Sequence, residues 1–177
     1  MEYGSLYFYT STIHQWKPSI QQYNFYNIIL ESLAFLHNKG LIRVYGFVIM
    51  PNHIHLIWQI LKPNGKESPV ASFKKFTAHR FEQHILKISP EDLINYQVDW
   101  HSRKYNFWQP EPHWFLLFNE KTLIQKLNYI HKNPVSKKWS LANDYIDYPF
   151  SSARFYETGV NDFSFLYHYA DFNDKVV

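Results

Sequence analysis

A chain of 177 residues that is 46% hydrophobic and 19% charged fits one globular domain with a sizeable core, and it excludes a disordered polypeptide. The absence of cysteine excludes disulfides and thiolate metal sites. No run approaches the ~20 apolar residues of a membrane span, and Met1-Glu2-Tyr3-Gly4-Ser5 lacks the basic start and apolar stretch of a secretion signal, so a cytoplasmic protein with no membrane partner is the expectation.

A net charge of +3, with an isoelectric point near 8.9, is too mild to announce a nucleic-acid binder. The aromatic share of 20% is more unusual. Aromatic rings either fill a core or stack on unpaired bases. In chain order, residues 5–13 are rich in β-formers and predict a strand. Ser19, with Gln22 as capping-box partner, opens a helix in which Ile20, Tyr23, Ile28, Leu33 and Leu36 follow near helical spacing, and Gly40 closes it. Residues 41–49 and 53–60 predict two strands joined by the turn Met50-Pro51-Asn52, a hairpin. A loop over 62–69 leads to Ser68 and Pro69, the cap and first turn of a second helix reaching about Lys87, with Val70, Phe73, Phe81 and Ile85 inward. Residues 89–112 read as an irregular aromatic segment, and 113–119 as a fourth strand. Asn119 caps a third helix that Pro134 stops near Asn133; one short helix near Ser151 follows.

The order β-α-β-β-α-β plus a helix predicts an α+β, ferredoxin-like (split βαβ) antiparallel sheet with helices on one face. The extra helix, which carries a tyrosine, lies near the C-terminus. One face of the sheet is left for function or for that helix. A single domain over 1–177 is expected, with its core in about 3–157 and a tail over 158–177.

Two segments carry chemistry. In Pro51-Asn52-His53-Ile54-His55-Leu56-Ile57, strand alternation puts His53 and His55 side by side, with Ile54 and Leu56 opposite. Two such imidazoles suit a divalent cation, and equally suit two half-exposed strand histidines. In Leu127-Asn128-Tyr129-Ile130-His131-Lys132-Asn133-Pro134-Val135, Tyr129 and Asn133 stand one helical turn apart. They lie at the edge of the stripe formed by Leu123, Leu127 and Ile130, beside Lys126, so Tyr129 is either an amphipathic surface tyrosine or a side chain free to reach a site.

Together these segments resemble the single-tyrosine HUH transposases, in particular the REP-associated tyrosine transposases. Tyr45-Gly46-Phe47-Val48-Ile49-Met50, continuing into Pro51–Ile57, is similar to that family's strand-turn-strand motif, and Tyr129–Val135 to its tyrosine-helix signature. Asp144-Tyr145-Ile146-Asp147-Tyr148-Pro149-Phe150-Ser151-Ser152-Ala153 resembles its acidic-tyrosine, Ser-Ser segment, and Phe107-Trp108-Gln109-Pro110 stands where the family carries a tryptophan-containing stretch. The likeness covers about residues 3–157. It departs after Asn-Pro-Val, where Ser136-Lys137-Lys138 replaces the family's frequent Arg-Ala-Gly and loses a glycine turn.

The resemblance implies cleavage and rejoining of single-stranded DNA through a 5′-phosphotyrosine on Tyr129, with a free 3′-hydroxyl. A free phenol ionises only near pH ~10, so a cation that polarises the phosphate is needed. The resemblance gives that cation, Mg2+ or Mn2+, to His53 and His55, with Asn133 adding an oxygen ligand. It also implies hairpin-forming DNA as partner, and either a monomer or a homodimer. Lys74, Lys75, Arg80, Arg103, Lys104, Lys126, Lys137 and Lys138 are candidates for a phosphate track, or solvated surface charges. Trp100, Tyr105 and Trp108 either stack on bases or close the core. Two other functions fit the same residues: a non-catalytic single-stranded nucleic-acid-binding module of ferredoxin-like fold, and a metal hydrolase with His113 as third ligand.

Overall fold

The computed structural model describes residues 2–100 and 103–172. In chain order the elements are β1 (Leu6–Thr12), α1 (Ser19–Gln22), α2 (Tyr26–Asn38), β2 (Ile42–Ile49), β3 (His53–Ile60), α3 (Pro69–Ile88), β4 (Gln97–Trp100), β5 (Arg103–Tyr105), β6 (His113–Leu116), α4 (Glu120–Lys132) and α5 (Ala153–Thr158). Four strands form an antiparallel sheet in the order β2-β3-β1-β6. Because β3 lies between β1 and β2, the connection through α2 is the split βαβ crossover, and the α+β, ferredoxin-like arrangement stands.

Period-two alternation along the strands divides the interior into two cores. Tyr7, Tyr9, Phe47, Ile54, Leu56 and Trp58 pack against Ile29, Leu33 and Leu36 of α2 and Phe73, Phe81 and Ile85 of α3. On the opposite face, Leu6, Phe8, Tyr45, Val48 and Ile57 pack against Leu123, Leu127 and Ile130 of α4. The helical stripe of α4 therefore seats it on the face that α2 and α3 leave free.

Two local signals are resolved differently from their sequence reading. The helix expected to run unbroken from Ser19 is split, with Asn24 in the left-handed region at φ 54°. The break turns Phe25 inward, where its ring stacks on Phe81 at 3.9 Å between centroids, a contact a continuous helix would misdirect. The capping box also does not form. Ser19 is the first helical residue rather than the cap, and its hydroxyl bonds the hydroxyl of Tyr96. By contrast, the Ser68 and Asn119 side chains accept from Ala71 N and Thr122 N, as cap residues do.

Residues 89–112 are more ordered than their composition suggests. A 3-10 segment, Pro90–Tyr96, leads into the β4–β5 hairpin. Tyr96, Phe107 and Trp108 are buried. Beyond Thr158 the described residues, which end at 172, pack on the fold: Phe165 and Leu166 are buried, and Tyr167 N donates to Val44 O along the outer edge of β2. Ser152 N bonds Phe47 O, and Phe47 N bonds Ser152 Oγ, on the same edge. The C-terminal segment thus covers polar groups that an edge strand would expose. Among the described residues no helix is long and apolar enough to cross a membrane.

Candidate active site

His53 and His55 project from β3 toward α4, on the face carrying Phe8 and Ile57. Their ring centroids are 4.7 Å apart. Both are buried, at 8% and 6% exposure, so the half-exposed alternative does not hold. The Tyr129 ring comes down from α4 to 5.5 Å from the His55 ring while remaining 50% exposed. Two imidazoles and a phenol, 74 residues apart in sequence between His55 and Tyr129, therefore come together at one place.

Gly46 explains how α4 reaches this position. β2 carries a bulge between Val44 and Gly46. A Cβ on Gly46 would lie 2.6 Å from Leu127 Cδ1 and 3.3 Å from Ile130 Cδ1. The helix lies on bare backbone there, which lowers the turn bearing Tyr129 onto the sheet.

The hydrogen bonds around the histidines orient both rings and assign the tautomer of His53. Asn52 Nδ2 donates to Trp16 O at 3.0 Å, which fixes the orientation of the amide. Asn52 Oδ1 then faces His53 Nδ1 at 2.6 Å, and an amide oxygen only accepts, so Nδ1–H donates and Nε2 carries the lone pair. Thr10 Oγ1 lies 2.7 Å from His55 Nδ1 on the neighbouring strand. That leaves His55 Nε2, which is buried and has no hydrogen-bond partner among the described residues. An orphaned nitrogen of this kind costs stability unless something occupies it.

Electrostatics point the same way. Burial, together with the charge of Lys138, lowers His53 from its ordinary value to about 4. Burial, then His53, then Lys126, lowers His55 to about 3. Both imidazoles are neutral at physiological pH and have lone pairs available, as cation ligation requires. The donor set fits a divalent cation through Nε2 of both rings. Asn133 is the C-cap of α4, half-buried and one turn beyond Tyr129. Among the described residues no three His, Cys, Asp or Glu side chains come together as a ligand group, so His113 is not brought to the pair.

The remaining candidates separate into two sets. Lys126 Nζ stands over the rings of Tyr129, Phe8 and Phe115 at 5.6, 5.2 and 5.2 Å, beside the pocket. Lys138 stands over Trp139, whose ring is 5.8 Å from His53, and Lys137 is exposed next to it. The other set makes its contacts away from the histidine pair. Lys74 Nζ donates to the carbonyls of Gln109 and Pro110, Lys75 pairs with Glu67, and Arg80 pairs with Glu31. Lys104 is exposed, with its ammonium over Tyr105. The side chain of Arg103 lies outside the described residues. Trp108 closes the core: it is 2% exposed, its Nε1–H donates to Thr77 Oγ1, and its ring packs on Phe73 and Phe81, which leaves no face for a base.

Sequence reasoning missed Thr10, Gly46, Asn52 and Trp139. A glycine inside a strand pattern is a recognised sign of a bulge or close approach. Nothing in the sequence pairs Thr10 with His55, because strand register is a tertiary fact.

The architecture defines a ferredoxin-like sheet with a histidine pair beneath a tyrosine-bearing helix. Its fold is shared with a solved REP-associated tyrosine transposase bound to a REP hairpin: 21% identity over 94% of this chain and 93% of that one, with a TM-score of 0.59. A candidate transposase from Deinococcus radiodurans R1 aligns at 17% identity over 72% of this chain and 88% of its own, with a TM-score of 0.42. No protein-family model and no curated protein matches the chain.

Proposed function

We propose that the chain nicks and rejoins single-stranded DNA through a covalent 5′-phosphotyrosine on Tyr129, as an HUH-type single-tyrosine transposase or strand transferase. The observation that supports this most directly is the approach of the half-exposed Tyr129 ring to the buried His53 and His55. His53 and His55 would hold a divalent cation, Mg2+ or Mn2+, with Asn133 as the candidate oxygen ligand. Bound there, the cation supplies neutralisation of the scissile phosphate's developing charge.

The chain's own residues do the rest. Thr10 and Asn52 hold both imidazoles in the ligating orientation. Gly46 and the α4 stripe seat the half-exposed phenol beside the histidine pair, open to a strand arriving from solvent. Lys126 puts an ammonium beside that phenol, where a phosphate bound for attack brings negative charge. Hairpin-forming single-stranded DNA is the proposed substrate, in keeping with the REP hairpin bound by the fold neighbour.

The test is a denaturing gel of the protein incubated with Mn2+ and single-stranded DNA from the flanks of its own gene. A slower, protein-linked DNA band is expected, absent for Tyr129→Phe and for the double variant His53→Ala, His55→Ala. A band that persists in Tyr129→Phe would sink the tyrosine assignment, and one that persists in the double variant would sink the cation site.

A further inference from the structure

Trp139 and Lys138 lie at the His53 end of the histidine pair, and Tyr129 lies at its His55 end. The Trp139 ring is 5.8 Å from His53, His53 is 4.7 Å from His55, and His55 is 5.5 Å from Tyr129. The rings therefore follow one another in contact: Tyr129, His55, His53, Trp139. A short turn after α4 fixes the far end, with Trp139 N donating to Ser136 O and Leu141 N to Pro134 O. The indole is half-buried, packed against the α4-side core. Lys138 is exposed and places Nζ 5.2 Å from the centre of that indole. An indole under an exposed, flexible ammonium suits a nucleotide, whose base stacks where the ammonium stands once that ammonium swings out to pair with the phosphate. Neither residue is used in holding a cation or in attack.

Direction follows from the chemistry. In phosphoryl transfer the attacking and departing oxygens lie on opposite sides of phosphorus. The Tyr129 Oη–P bond forms and the P–O3′ bond breaks; the phenol loses its proton, and the departing 3′ oxygen gains one. With Tyr129 on the His55 side, the departing oxygen points toward the His53 side, where Trp139 stands. We propose that Trp139 and Lys138 form the subsite for the nucleotide on the 5′ side of the cleaved bond, the one that leaves with a free 3′-hydroxyl. This rests on the phosphotyrosine reading above. Trp139 stacks on that nucleotide's base and keeps its hydroxyl in place for rejoining, and Lys138 pairs with its phosphate. Stacking tolerates any base, so the subsite fixes position rather than sequence.

Two experiments test it. The first needs no cleavage. The Tyr129→Phe protein is irradiated with a single-stranded deoxythymidine octamer carrying one 5-iododeoxyuridine, and the cross-linked peptide is identified by mass spectrometry. A cross-link at Trp139, lost in Trp139→Leu, is expected; cross-links confined to other residues overturn the proposal. The second uses the DNA that wild type cleaves, with and without a base on the nucleotide 5′ to the cut. Trp139→Ala is expected to slow adduct formation roughly tenfold on intact DNA and to change nothing on the abasic strand, while Trp139→Phe keeps most of the rate. Equal loss on both strands overturns the proposal, because Trp139 would then only prop His53. A wild type that cross-links at Trp139 but forms no adduct on any DNA defeats the phosphotyrosine reading, and the 5′-side assignment with it.

Discussion

On one face of β3, Ile54, Leu56 and Trp58 lie between the sheet and two helices; one residue along, on the other face, His53 and His55 lie beneath α4. Every residue of the strand is buried, so exposure does not tell the faces apart. What differs is the chemistry of the groups buried. Ile54 and Leu56 bury surface that water rejects, and each stabilises the fold by about 1.5–3 kcal/mol. The imidazoles bury polar atoms at a cost. Each has one ring nitrogen bonded to a side-chain oxygen, and His55 Nε2 has no partner among the described residues. Trp58 Nε1 on the first face also has no partner among the described residues, so the mark of a site kept for chemistry is the convergence of two buried imidazoles with a half-exposed phenol.

Adjacent residues can break this contrast. Leu56→Ala is expected to lower unfolding free energy by about 2–5 kcal/mol while leaving adduct yield per folded molecule within about twofold. His55→Ala is expected to do the reverse, changing stability by less than about 1 kcal/mol and lowering adduct yield at least about 100-fold. Denaturant titration and the gel assay, run on both variants, read the two quantities. If His55→Ala is the less stable protein and the better enzyme of the two, the division between faces is wrong. Thr10→Val sharpens the contrast further. It removes the oxygen beside His55 Nδ1 and keeps the shape, so the Mn2+ concentration for half-maximal adduct should rise about 10–100-fold. An unchanged Mn2+ response would mean that Thr10 does not orient the ring.

These faces were not equally legible in the sequence. Alternation alone put His53 and His55 opposite Ile54 and Leu56, because a strand's side-chain period is fixed by its backbone. The stripe of Leu123, Leu127 and Ile130 likewise placed Tyr129 at its edge, and the ring is half exposed. Failures came where partners are distant. Ser19 met the local rule for a cap, but its hydroxyl bonds Tyr96, 77 residues on. Asn24 broke a periodic helix so that Phe25 could stack on Phe81. Lys74 and Lys75 had the composition of a phosphate track, yet their ammoniums bond groups of the protein itself. The serine pair after Phe150 gave no hint that Ser152 ties β2 to α4 by bonding both Phe47 and His131.

The α4 side is also set by a contact that only glycine allows. Gly46→Val would drive branched carbon into Leu127 and Ile130 and is expected to cost about 1–3 kcal/mol, read by thermal denaturation. The displacement lifts α4, so adduct yield should fall in parallel. A loss of stability with full adduct yield would show that Tyr129 is placed by something other than this contact.

The smallest expected effect is a pH dependence at the same seam. His131 is buried on α4, its Nε2 lies 2.8 Å from Ser152 Oγ, and burial lowers it from its ordinary value to about 4. In the unfolded chain it titrates near its ordinary ~6.5. As pH falls below that value the unfolded state takes up a proton and the folded state does not, so stability drops until the folded group also titrates near 4. Between about pH 7 and pH 5.5 this amounts to roughly 1 kcal/mol. His53 and His55 act with the same sign, so wild type alone would not isolate the effect. The difference between wild type and His131→Gln does, since the other groups are common to both. Wild-type stability should fall relative to the variant across that interval and level off below about pH 4. Parallel curves would mean that the α4 side of the sheet is wet enough to hold a charged imidazole, and the two faces of the sheet would then differ in water content as well as in the groups they bury.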